Sequence, residues 1–367
     1  MNVVSLLIKP ASGQCNLRCH YCFYHDLLTE KQGVYYDVMS TDTLFMLLKD
    51  AFCTTKDALV LSFQGGEPLL AGISYYEMVI KLVDRFNNRR IPVSFSIQTN
   101  GILLNNEWCH FLKDHHFLVG ISLDGPMELH EANRGPNYQQ VLSSIQLLEQ
   151  YQIEFNVLSV VTKQHYQEAK HLYQFFKEQH LPYLQFIPCV PLHQKSKKEE
   201  YCLTSEEYFV FLDDLFSCWF QDIMGENPVS IRLFDNFVAI LLGLKANSCD
   251  LNQSCGVGVI VEANGDCYPC DFFVEKDYFL GNVLTSSLTS VLENPVRKAF
   301  SESSKRLLPT CLVCPFRSLC QGGCQKYRNQ SYIYCETMKR FFNKHIIELQ
   351  TVAHYFKKCM NKGVNYE

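Results

Sequence analysis

Residues 5–24 read SLLIKPASGQCNLRCHYCFY: an apolar run ending at Lys9 and Pro10, then three cysteines spaced C-x3-C-x2-C. The run Ser5–Lys9 predicts a β-strand, because apolar residues bounded by proline and glycine favour one. Cys15, Cys19 and Cys22 then fall in the loop leaving the strand's C-terminal end. A cubane iron–sulfur cluster takes four cysteine thiolates. Three in one short loop leave one iron without a protein ligand, and an open metal position is where a substrate or cosubstrate binds. A zinc loop is the plainer reading of the same residues. Tyr21 before the third cysteine, and the loop's place after a strand, favour the cluster.

Outward from that loop the chain alternates strand and helix. Strands are predicted at Ser5–Lys9, Leu59–Phe63, Val93–Ile97, Leu118–Leu123, Phe155–Val161 and Tyr183–Ile187, and helices at Thr41–Phe52, Tyr75–Phe86, Glu107–Asp114, Tyr138–Tyr151 and Tyr166–Glu178. This alternation predicts parallel βαβ units. Six strands are fewer than a closed barrel needs, so the expected fold is α/β, a partial (β/α)6 TIM-like barrel. Polar and glycine-rich pieces follow the strands: Cys15–Tyr24, Gln64–Pro68, Gln98–Gly101 and Asp124–Gly125. In parallel α/β folds the active site lies at that end of the strands. Within Gly65-Gly66-Glu67-Pro68 the glycines permit close backbone approach and Pro68 fixes the turn.

Residues 188–200 carry proline and charge and predict a linker, followed by helices at Ser205–Met224 and Leu233–Leu244. Cys249–Cys335 is rich in cysteine and glycine without regular periodicity, which suits a small domain stapled by metal. Met338, Phe341, Phe342, Ile346, Leu349, Val352 and Phe356 have helical spacing. The expected division is 1–200, a barrel; 201–248, a helical connector; 249–340, a cysteine-rich domain; and 341–367, a C-terminal helix.

Eight thiols lie in the cysteine-rich region outside Cys267: Cys249, Cys255, Cys270, Cys311, Cys314, Cys320, Cys324 and Cys335. They suffice for two four-ligand clusters. Cys311 and Cys314 alone also have zinc spacing. Cys53, Cys109, Cys189, Cys202, Cys218, Cys267 and Cys359 are left over, and free cysteine packs as a small hydrophobe. Cys267 stands as C-x2-C with Cys270 and is the ambiguous one.

Composition sets bounds. Of 367 residues 47% are hydrophobic, enough for a large core, and the net charge is −5. The one basic cluster, Lys195–Lys198, is answered by Glu199 and Glu200. No basic footprint for nucleic acid is visible. The N-terminus lacks a signal-peptide pattern, and no apolar run approaches the ~18 residues of a membrane helix. The expectation is a cytoplasmic protein with no nucleic acid or membrane partner. In a reducing compartment 18 cysteines point to metal ligands rather than disulfides.

The three-cysteine loop together with GGEP resembles the radical S-adenosylmethionine superfamily. The resemblance implies that the open iron chelates S-adenosylmethionine and that its reductive cleavage yields a 5′-deoxyadenosyl radical. It implies cofactor contacts at Tyr21, Gly66, Ser122, Arg134 and Val190; taken singly, Ser122 and Val190 also fit ordinary strand-end packing. The C-terminal cysteines resemble the SPASM extension of peptide-modifying radical enzymes. That implies an auxiliary cluster on Cys249, Cys255, Cys270 and Cys324 and a second on Cys311, Cys314, Cys320 and Cys335, three 4Fe-4S clusters in all.

SLLIKPASGQCNLRCHYCFYH, FQGGEPLLAG, QTNG, FLVGISLDGP, LQFI, YPCDFFV and CQGGCQ resemble the anaerobic sulfatase-maturating enzymes, especially those of clostridial type. These oxidise a cysteine or serine of a sulfatase to Cα-formylglycine. The resemblance implies Asp271 as proton acceptor and Tyr24 and Gln64 near the substrate, though both also suit packing behind the site. It implies an unfolded sulfatase polypeptide bearing C-x-P-x-R or S-x-P-x-R as partner, and an electron donor such as flavodoxin or ferredoxin. Two rival readings share parts of this pattern. A maturase forming thioether crosslinks in a precursor peptide would share every cluster ligand. A non-catalytic iron–sulfur or zinc protein would have no use for an open iron beside GGEP.

Overall fold

The structure, a computed structural model, describes residues 3–24, 38–190, 200–225, 227, 229–252, 254–256, 258–328 and 331–361. Most of the expected linker, residues 191–199, lies outside them. Strands and helices follow the alternation: β1 (Val3–Ile8), α1 (Thr41–Thr54), β2 (Ala58–Phe63), α2 (Ile73–Phe86), β3 (Val93–Thr99), α3 (Asn106–Asp114), β4 (Phe117–Ser122), α4 (Met127–Arg134), α5 (Tyr138–Gln150), β5 (Phe155–Val161), α6 (Ala169–Glu178) and β6 (Tyr183–Pro188). Then come α7 (Ser205–Met224), β7 (Ser230–Ile231), α8 (Arg232–Leu241), β8 (Val259–Val261), β9 (Asp266–Tyr268), β10 (Gly281–Asn282), several short helices, and a long helix Cys335–Asn361. All six expected strands are present.

The chain forms two compact units. The first comprises Met1–Leu123, Glu131–Asn156 and Cys255–Ser303. Its strands run in the order β10-β9-β8-β1-β2-β3-β4. β1 to β4 pair in parallel, β8 joins β1 in parallel, and β8, β9 and β10 are antiparallel. β1 is buried at alternate positions, Val4, Leu6 and Ile8, as a period-two strand requires. Side-chain oxygens of Ser40 and Asn105 cap α1 and α3, offsetting orphan helix N–H groups.

The second unit comprises Asp124–His130, Val157–Ser254 and Ser304–Glu367, with strand order β5-β6-β7. A capping box at Thr204 and Glu207 starts α7. Phe216 of α7 packs 5.1 Å from Phe234 of α8 and 5.3 Å from Phe341 of the last helix, ring centre to ring centre, and all three are fully buried. Phe216→Ala is expected to cost about 3–5 kcal/mol and to show as a lower thermal midpoint. The final helix begins at Cys335, so the helical spacing noted from Met338 onward extends one turn upstream. Among the described residues no helix is long and apolar enough to cross a membrane.

Candidate active site

The first unit gathers the loops that leave β1, β2 and β3. In the cysteine loop the Cys22 N–H donates to the Cys19 carbonyl at 3.1 Å. The Leu17 N–H lies 3.4 Å from Cys15 Sγ, and the Asn100 amide 3.7 Å from it. Burial pushes the Cys15 thiol up, while these two donors favour its thiolate. N–H donors aimed at sulfur tune a bound cluster. The donors and the soft thiol set therefore fit an iron–sulfur group. Among the described residues no three Cys, His, Asp or Glu side chains form a site ready for a single metal ion. A cluster of four irons needs thiolates set further apart than one ion does.

The GGEP turn packs against this loop. The Glu67 N–H donates to the Gln14 carbonyl at 2.7 Å. Gly66 has φ +52°, and a Cβ there would lie 2.0 Å from the Gln14 oxygen. Only glycine allows that contact. The Glu67 carboxylate is fully buried and accepts from Leu69 N–H (3.0 Å), the Thr99 hydroxyl (2.8 Å) and Asn100 N–H (2.8 Å). Burial pushes its carboxyl pKa up, and those donors pull it back. Glu67 thus ties GGEP to the QTNG segment. Asn100 in turn bonds Asn16 in the cysteine loop at 2.7 Å.

The expected cofactor contacts distribute as follows. Arg134 donates to the Tyr21 hydroxyl at 2.6 Å, and the Asn133 carbonyl accepts from His20 N–H at 2.9 Å. Ser122 ends β4 and accepts from Gln98 at 3.2 Å. Val190 follows β6 in the second unit, half-buried.

The β8–β9 hairpin carries the other half of the first unit's site. Gly265, φ +89°, turns the chain between them. Cys270 and Asp271 follow β9 after Pro269. Asp271 accepts from the Tyr24 hydroxyl and pairs with the Lys9 ammonium. Gln64 also bonds Tyr24, so Tyr24, Gln64 and Asp271 come together. Burial pushes the Tyr24 phenol well above its ordinary value, keeping it a hydrogen-bond donor.

Lys9, Glu262 and Asn100 are not among the site residues that the sequence marks. Lys9 is 2% exposed, and lysine is almost never that buried unless paired. Its ammonium lies 3.0 Å from Glu262 Oε1. Burial alone would lower the Lys9 pKa, but Asp271 and Glu262 outweigh it and hold it above the usual value. No sequence signal marks Lys9, since a lysine at a strand end ordinarily meets solvent.

Of the cysteines expected to hold auxiliary clusters, Cys311, Cys314, Cys320 and Cys335 line one cavity in the second unit, with Phe316, Tyr332, Met338 and Phe342. Four thiols on one cavity wall, with the cations Arg317 and Lys339 beside them, fit an anionic cubane cluster. Cys255 and Cys270 belong to the first unit and Cys249 and Cys324 to the second. Of the leftover cysteines, Cys109, Cys189, Cys202 and Cys267 are buried, Cys218 and Cys359 half-buried, and Cys53 is exposed. Cys267 donates to the Gly265 carbonyl at 3.6 Å, and burial pushes its thiol up to about 12.

The radical SAM superfamily pattern matches residues 10–176, and the SPASM iron–sulfur cluster-binding domain matches 254–315. A cysteine-type anaerobic sulfatase-maturating enzyme of Clostridium novyi is 38% identical over 366 residues, covering 96% of this chain and 98% of that one. The chain belongs to the anaerobic sulfatase-maturating enzyme family. The Clostridium perfringens cysteine-type enzyme is 36% identical, over 97% of this chain and all of that protein. A serine-type member from Bacteroides thetaiotaomicron is 31% identical, over 88% of this chain and 83% of that one. The solved structure of native anSMEcpe with bound AdoMet and Cp18Cys peptide superposes with TM-score 0.91 at 36% identity, covering 96% of this chain and 99% of that one. Streptococcus suis SuiB shares the fold alone, with TM-score 0.60 and 18% identity. As a member of this family, the chain is a radical SAM enzyme of the partial-barrel class with a SPASM domain.

Proposed function

We propose that the protein oxidises the active-site cysteine, or less readily a serine, of a sulfatase to Cα-formylglycine. The observation carrying this reading is Asp271, placed directly after Cys270 and held among Tyr24, Gln64 and Lys9 in the unit that holds the cysteine loop. The greater identity to cysteine-type than to serine-type members supports the preference for cysteine. Cys15, Cys19 and Cys22 would hold the radical-generating cluster, with Tyr21, Gly66, Ser122, Arg134 and Val190 around S-adenosylmethionine. Cys249, Cys255, Cys270 and Cys324 would hold one auxiliary cluster, and Cys311, Cys314, Cys320 and Cys335 the other.

Turning a side-chain CH2 into an aldehyde removes two electrons and two protons. When bound, the cofactor and clusters supply the acceptor for one hydrogen atom and for the remaining electron. The chain's own part is the proton. Asp271 accepts it from the substrate thiol at its carboxylate, with Tyr24 holding one oxygen in place. A thiol of pKa about 8.5 yields its proton to a carboxylate only in a dry, prearranged site, and the burial around Lys9 and Tyr24 supports such a site. Water then converts the thioaldehyde to the aldehyde with loss of hydrogen sulfide.

The substrate is an unfolded sulfatase segment carrying C-x-P-x-R, or S-x-P-x-R for serine. The donor is a low-potential carrier such as flavodoxin or ferredoxin, and the setting is the cytoplasm. The expected division at 200, 248 and 340 is kept as the proposal for the working modules, with the last helix entered already at Cys335. Incubating the oxygen-free, reconstituted enzyme with reductant, S-adenosylmethionine and a C-x-P-x-R peptide should replace sulfur by oxygen at the target residue, read by mass. A crosslinked peptide would favour a thioether-forming maturase instead.

Ligand choice has its own test. Cys270→Ala is expected to lose about four irons per chain, and Cys267→Ala none. Equal loss from both, by iron assay after reconstitution, would bring Cys267 into the ligand set.

A further inference from the structure

We propose that Lys9, braced by Glu262, is the positioning residue that holds the Asp271 carboxylate in its working place; the inference rests on the oxidation reading above. The Lys9 side chain runs from the end of β1 beneath the GGEP turn. A Cβ on Gly65 would lie 2.8 Å from its Cγ, so Gly65 is the groove that admits the stem. Its Nζ sits 4.9 Å from the centre of the Tyr24 ring and between two carboxylates, Glu262 Oε1 at 3.0 Å and Asp271 Oδ1.

Each part of this brace is fixed from elsewhere. The Lys9 N–H donates to the Val261 carbonyl at 2.8 Å, locking β1 to β8. Glu262 Oε2 accepts from the Ser12 hydroxyl at 2.6 Å, and Ser12 Oγ accepts from Ala263 N–H at 3.1 Å. Glu262 and Ser12 therefore set the ammonium, and the ammonium sets Asp271. Tyr24 takes the other Asp271 oxygen. An ionised carboxylate has about four lone-pair sites, so two anchors leave room for a substrate proton. One cation faces two carboxylates, leaving a single negative charge on the trio. Lys9 is thus neither a surplus charge nor a surface residue folded inward.

The readout is aldehyde formed per 5′-deoxyadenosine. Removing the anchor leaves the radical chemistry in place but lets the carboxylate wander, and misplacement of about 1 Å costs about 10²-fold. Lys9→Met should lower the ratio by about that factor. The paired variant Lys9→Met with Glu262→Gln keeps the trio's net charge at one negative and guards against unfolding from an uncompensated carboxylate; it should show the same loss. In an Asp271→Asn background, Lys9→Met should lower the ratio no further, because residues acting as a unit are not additive. A wild-type ratio from the paired variant, or a further tenfold loss in the Asp271→Asn background, overturns the inference alone. Wild-type protein that forms 5′-deoxyadenosine but no aldehyde on the peptide overturns the oxidation reading and this inference together.

Discussion

Asp271→Asn should still release 5′-deoxyadenosine from S-adenosylmethionine while aldehyde formation on a C-x-P-x-R peptide falls by about 10²–10⁴-fold, the range for loss of a positioned general base. Asparagine keeps the shape and can keep the Tyr24 contact. It cannot take up the thiol proton, and it no longer matches the Lys9 charge. Side-by-side chromatography of the nucleoside and mass analysis of the peptide separate the two reactions. Aldehyde at the wild-type rate would remove Asp271 as the proton acceptor.

Gly66→Ala should abolish cofactor cleavage rather than uncouple it. The added methyl would lie 2.0 Å from the Gln14 oxygen at a φ of +52°, so the turn or the cysteine loop must move. Either shift disturbs the Glu67 bridge to Asn100 and, through Asn16, the base of the cysteine loop. The expected result is 5′-deoxyadenosine at background with the C-terminal cavity's cysteines still metal-loaded. Cleavage within a few-fold of wild type would show that the turn relaxes freely. At Gly65, φ +96°, a Cβ would meet the Lys9 stem at 2.8 Å and the Ser12 carbonyl oxygen at 3.0 Å, so alanine there strikes the Lys9 brace rather than the cysteine loop.

The barrel strands were legible because each is a stretch of five residues or more, mostly apolar and carrying β-branched or aromatic residues, between turn-forming pieces. The β8–β9 hairpin was not: its strands are three residues each, too short to set a period. Yet that hairpin carries Glu262 and leads into Asp271, so the site's geometry depends on the least legible element. α4 was missed because MELHEANR is mostly polar and short. The cysteine spacings marked metal chemistry in both units, since thiol spacing survives without any fold. Lys9 was hidden for the opposite reason. A lysine beside a proline at a strand end reads as a solvent contact, and only pairing with carboxylates more than 250 positions away in sequence makes its burial tolerable. Glu67 belongs to a recognisable turn, but its three internal bonds to Leu69, Thr99 and Asn100 could not be read from GGEP itself.

The most direct measurement is nucleoside release by oxygen-free, fully reconstituted protein given a strong reductant and S-adenosylmethionine. Formation of 5′-deoxyadenosine that disappears when Cys15, Cys19 or Cys22 is replaced by alanine is the expected result. Protein that carries its full iron and sulfide yet forms none when reduced would contradict an open, cosubstrate-binding iron on that loop.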